Sequence, residues 1–111
     1  MHSNQSAEVD EDGRLACPKC GDIYTHQGNI TIFERREDDN YVTVITQNDA
    51  EVTTARFLNA DTCNPSSRRH GMLIEFTCEE CHSVPPEQEA SAPFRLAIYQ
   101  HKGNTFVEWE S

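Results

Sequence analysis

Two cysteine pairs of identical spacing, Cys17-Pro18-Lys19-Cys20-Gly21 and Cys78-Glu79-Glu80-Cys81-His82, place four soft ligands in the chain. A Cys-x-x-Cys turn aims both sulfurs at one ion, and the backbone N–H groups between them support the thiolate charge. Two such turns fill a tetrahedral shell and leave no open position for a water or a substrate. The chemistry expected is therefore a structural zinc on Cys17, Cys20, Cys78 and Cys81, in a protein that is not an enzyme. Unpaired core cysteines or disulfides are the other readings of the same residues.

The two pairs resemble the knuckles of the zinc-ribbon family, the resemblance being carried by Cys17, Pro18, Cys20, Gly21, Cys78 and Cys81. It covers these short motifs only, and it implies that each knuckle lies at the turn of a β-hairpin with a third strand completing a small sheet. Two features depart from the family pattern. The pairs are separated by 57 residues, against roughly 15 to 20 in a compact ribbon, so a hairpin and a loop are expected as an insertion between the knuckles. His82 also stands where the second knuckle usually carries Gly. Rubredoxins hold iron on similar knuckles, but here only one knuckle bears Pro and the insertion is long, which puts iron behind zinc. In size and motif layout the chain is also similar to compact accessory proteins of bacteria and their phages.

Other residues offer weaker chemistry. Cys63, in Asp61-Thr62-Cys63-Asn64-Pro65, is the unpaired cysteine, and nearby Arg68, Arg69 and His70 could stabilise its thiolate; an ordinary loop thiol is the plainer reading. Arg68-Arg69-His70 is the densest positive cluster and Arg35-Arg36 a second; if they converge in space they could hold an anion, a phosphate or a partner. Glu34, Glu37, Asp38 and Asp39 flank the second cluster, so a charge-balanced surface explains it equally. Trp109 stands between Glu108 and Glu110, an environment for packing or a protein partner rather than for stacking on bases.

Charge bounds the partners. Nineteen acidic residues against nine Lys and Arg give a formal net charge of −10, a field that repels phosphate backbones and favours a protein with a basic surface. No segment approaches the roughly 18 continuous apolar residues of a membrane span, and Met1 to Ser6 lacks the charged and apolar regions of a signal peptide. A cytoplasmic protein with no membrane partner is expected. In a reducing compartment the doubled motif suits metal better than disulfides.

The elements that must position these residues read as strands. Residues 1–14 carry Glu8, Asp10, Glu11 and Asp12 and almost no large apolar side chain, which predicts a disordered acidic tail before a single zinc-ribbon-like β domain over 15–111. Asn29 to Glu37 alternates, Asp38-Asp39-Asn40 is a turn cluster, and Tyr41 to Thr46 resumes a β-branched run, so the two form a hairpin. Val52 to Leu58 extends it as a meander. Asn59 to Gly71 is a loop, Met72 to Thr77 a strand running into the second knuckle, and Ser83 to Pro93 another loop. Phe94 to Tyr99 and Thr105 to Trp109 form a last hairpin, with Gly103 and Asn104 expected to take the positive φ of a tight turn. The fold class is mainly β: a small antiparallel sheet of about six strands with a zinc-ribbon-like site of four cysteines and an inserted hairpin.

The function these features suggest is a small non-enzymatic zinc-binding protein acting through protein–protein contacts. Two alternatives stand beside it. One is a zinc ribbon that binds nucleic acid through the Arg68-Arg69-His70 loop, and the other is an acidic nucleic-acid mimic, of phage or bacterial origin, using Glu79, Glu80, Glu87 and Glu89 as phosphate surrogates.

Overall fold

The computed structural model describes residues 5–79 and 94–110. Their backbone forms one sheet from β1 (Gln5–Ser6), β2 (Thr25–Glu34), β3 (Tyr41–Asn48), β4 (Glu51–Leu58), β5 (Gly71–Cys78), β6 (Phe94–His101) and β7 (Asn104–Trp109). The order across the sheet is β1-β7-β6-β5-β2-β3-β4, every pairing antiparallel. Six strands have six to ten residues and β1 has two, so the sheet is mainly antiparallel β as the alternating Val, Ile, Thr and aromatic runs require. No helix among the described residues is long and apolar enough to cross a membrane.

Turn chemistry sets the register. Asn48 pairs with Glu51 around the two-residue turn Asp49-Ala50, with Asp49 at φ 56°. His101 pairs with Asn104, so Lys102 (φ 50°) and Gly103 (φ 82°) occupy the central positions of the last hairpin. The expected pair Gly103 and Asn104 is thus displaced by one residue: a two-residue turn of this hand needs positive φ at both centres, and Asn104 already belongs to the ladder. Between Gln27 and Ile30 the β2–β5 register shifts by one residue, a bulge that bends β2 and re-aims its first residues toward the end of β5.

The two sheet faces bury different things. On one face Phe33, Val42, Leu73 and Ala97 form a core flanked by Val44 and Tyr99. The segment after β4, opened by a short 3-10 turn at Asn59–Asp61, returns to β5 with Asn64 and Pro65 close against Gly71. A Cβ on Gly71 would lie 2.3 Å from Asn64 Oδ1 and 2.7 Å from Pro65 Cδ, so only glycine admits the segment so close to the strand. Buried Ser66 locks it: its hydroxyl donates to Gln100 O (2.6 Å) and accepts from Arg69 N–H (2.9 Å) and Arg68 N–H (3.2 Å).

On the opposite face, at the β1–β7 end, Trp109 is 3 % exposed and meets Phe76 and Phe94 edge-on, with centroids 5.7 and 5.1 Å apart. Trp109 is therefore a packing residue. Of residues 1–14, expected from composition to be a disordered acidic tail, residues 5–14 are described. Gln5 and Ser6 pair with Trp109 and Glu108, Val9 bridges to Leu15, and Asp10 Oδ1 accepts from the backbone of Asp12 and Arg14. The Arg14 guanidinium then pairs with Asp10 (2.7 Å) and Asp12 (3.2 Å). The contacts of this stretch are hydrogen bonds and ion pairs rather than buried side chains.

Candidate metal centre

Register brings the cysteines together. Thr25 pairs with Cys78 at the mouth of the β2–β5 ladder, and Glu79 N–H donates to Tyr24 O (3.0 Å), so the chain entering β2 and the chain leaving β5 lie side by side. The segment carrying Cys17 and Cys20 precedes β2 by a few residues and folds back on itself. Cys17 N–H donates to Asp22 O (2.7 Å), Gly21 N–H to Cys17 O (2.9 Å), and Lys19 N–H to Cys17 Sγ (3.4 Å). Gly21 has φ 80°, a conformation that glycine adopts without strain. A backbone N–H aimed at a cysteine sulfur is what a thiolate held in a knuckle requires.

Cys17, Cys20 and Cys78 place their sulfurs within 4.8 Å of one another, and Cys20 Sγ lies 3.5 Å from Cys78 Sγ. A tetrahedral zinc with sulfur ligands at about 2.3 Å separates those ligands by about 3.8 Å. The spacing fits a shared ion. It is also far longer than the roughly 2.05 Å of a disulfide, which removes that reading for this pair. The donor set, three cysteine sulfurs and no carboxylate among the described residues, suits zinc or iron and not a hard cation. Cys81, the fourth expected ligand, lies outside the described residues, as do Glu80, His82, Glu87 and Glu89.

The three sulfurs differ in exposure. Cys17 is 2 % exposed and lines a small recess with Ala16, Pro18, Gly21 and Trp109, while Cys20 is exposed and Cys78 half-buried. Lys19 extends over the Phe94 ring with Nζ 5.6 Å from its centroid. His26 Nε2 pairs with Glu79 Oε2 at 3.0 Å beside the second knuckle, an exposed contact that no local pattern in the chain announces.

The basic residues divide. Arg68 is committed to Asp38 Oδ2 (3.1 Å) and Glu37 Oε1 (3.6 Å). The same hydrogen bond holds the Asp38 carboxyl below the usual carboxylate range and pushes the Arg68 guanidinium up. Arg69 and His70 instead line a polar cleft together with Arg35 and Arg36, so the two basic clusters do converge, without Arg68. Arg56 and Tyr41 line it too. Nothing in the sequence flags them: only the β3–β4 ladder, in which Thr43 pairs with Arg56, brings them to the loops. Cys63 is exposed and lies outside the three-cysteine cluster.

Compared with family models, with curated proteins and with solved structures, the chain matches none.

Proposed function

We propose that this chain is a small, non-enzymatic zinc-binding β module that acts by protein–protein contact. The convergence of the Cys17, Cys20 and Cys78 sulfurs within 4.8 Å is the observation that carries the reading. With Cys81 as the fourth thiolate the shell is closed, and a closed shell stabilises a fold rather than activating water. The metal would join the segment before β2 to the end of β5.

Support for a contact role comes from the free edge of the sheet. All eight residues of β4 are exposed, and Val52 (66 %), Phe57 and Leu58 are among the most exposed large apolar side chains. An edge strand offers unpaired N–H and C=O groups to a strand of another protein, and apolar side chains along it supply contact area. The net charge of −10 favours a partner with a basic surface.

Elemental analysis and binding test the two halves of this reading. Purified protein carries one zinc per chain, and a partner retained by metal-replete protein is released by Val52→Lys or Phe57→Glu with the fold intact. Absence of bound metal, or retention indifferent to both β4 changes, overturns the corresponding half.

A further inference from the structure

A cleft between the sheet edge and two loops lies apart from the cysteine cluster and shares none of its residues. It measures about 610 Å³, within the size range of small-molecule sites. In a chain of net charge −10 its lining is locally inverted: four arginines, Arg35, Arg36, Arg56 and Arg69, face two carboxylates, Glu34 and Asp39. One carboxylate is already engaged, since Asp39 Oδ1 accepts the Tyr41 N–H (3.0 Å).

The guanidinium groups are held open rather than neutralised. Arg35 is 9 % exposed, yet its guanidinium donates only to carbonyls among the described residues, Nε to Asp39 O (2.6 Å) and NH1 to Ser67 O (3.2 Å). It makes no close ion pair among those residues, its charge being felt from a longer distance by the Asp38 carboxylate, and no buried donor of the described residues is left without a partner. Carbonyl contacts leave the Arg35 charge only partly offset, by Asp38 at a distance, so an anion entering the cleft gains from it. Arg36, Arg56 and Arg69 likewise make no ion pair among the described residues. Their backbones are fixed by three different elements. Arg36 O accepts Asp39 N–H (3.0 Å), Arg69 is pinned through Ser66 Oγ and Asn64 Nδ2, and Arg56 belongs to β4 with its guanidinium 4.7 Å above the Tyr41 ring. Forked donors converging from rigid backbone are the arrangement that binds phosphate oxygens.

We infer that this cleft binds a small phosphate-bearing molecule, its phosphate held by Arg36, Arg56 and Arg69 above the buried Arg35. The remaining surface of an acidic protein repels an extended polyanion, so the ligand is a compact phosphate ester and not a nucleic-acid strand.

The test is calorimetric titration of the full metal-replete chain at low ionic strength with inorganic phosphate, adenosine monophosphate and a short single-stranded oligonucleotide. Saturable one-to-one binding of phosphate or the mononucleotide is expected, weakening as salt is added. Arg36→Ala and Arg69→Ala, both at exposed positions, each weaken it about tenfold or more, the loss of one charge-assisted contact. Arg14→Ala, at a residue paired with Asp10 and absent from the cleft lining, leaves it unchanged and controls for net charge. No saturable binding of either small ligand overturns the site. An equal loss in Arg14→Ala overturns its localisation, and an oligonucleotide that binds more tightly than the mononucleotide overturns the small-ligand assignment in favour of a strand.

Discussion

Removing the metal should act first on Trp109. The three described sulfurs converge at one end of the sheet, where Cys17 shares a recess with the only tryptophan of the chain, itself 3 % exposed, while the Phe33–Val42–Leu73–Ala97 core lies on the other face. A structural zinc contributes an apparent 10 to 16 kcal/mol, roughly, in small metal-binding peptides, so in the proposed shell of four thiolates one ligand would carry about 3 kcal/mol. Against a net stability of about 5 to 15 kcal/mol for a domain, that loss is large. At about 4 °C per kcal/mol, Cys17→Ser or Cys78→Ser should lower the melting temperature by about 12 °C, and full chelation by more. The assay is a thermal melt followed through tryptophan emission, with and without a zinc chelator, together with cobalt substitution to read the ligand field. Chelation should shift Trp109 emission to the red, and cobalt should give the intense absorption of a tetrahedral thiolate site. Unchanged emission after chelation, or a Cys17→Ser chain that melts like the parent, would refute the reasoning. Cys81→Ser tests the fourth position separately: parental metal affinity there would mean that another group completes the shell.

Three further outcomes follow from the fold. Gly71→Ala drives a methyl group into Asn64 and Pro65, and the Asn64 side chain makes three hydrogen bonds that fix the segment before β5; a loss of about 2 to 3 kcal/mol is expected in urea unfolding, and no loss would mean the segment moves freely. Lys102→Asn puts Asn-Gly at the two positive-φ positions of the last hairpin and should raise stability by about 0.5 to 1 kcal/mol in the same assay. Tyr99 donates its hydroxyl to Glu108 Oε1 (2.6 Å), and that bond, with burial and the carboxylate charge, pushes its pKa from 10.0 up to about 12. The folded chain then keeps a proton that the unfolded chain loses, so this stabilisation is complete below pH 10 and is lost as pH rises toward 12. Ultraviolet titration of tyrosinate should show one late-ionising tyrosine that Glu108→Gln brings down; identical titrations of the two chains would remove Glu108 as the cause.

Legibility in the sequence followed the range of the interactions. Six strands could be read because period-two runs of β-branched and aromatic residues are local, and the hairpins because their turn residues adjoin them. Other features were decided by a neighbour in space. Lys102 takes the positive φ because the ladder claims Asn104. Residues 5–14 have a defined course because Arg14 and β7 provide partners. Arg68, the first candidate for an anion, is consumed by Asp38, whereas Arg56, which reads as an ordinary strand residue, reaches the cleft.

By itself the sequence determined the donor chemistry: cysteines at a two-residue spacing offer soft sulfur ligands whatever surrounds them, because that spacing is local to each pair. Only the tertiary structure decided that Cys17 and Cys20 meet Cys78, through a one-residue bulge and the pairing of Thr25 with Cys78. It alone also decided which arginines share a cleft. Strand register is a long-range property, fixed by which side chains the two sheet faces can bury, and no local pattern in the chain contains it.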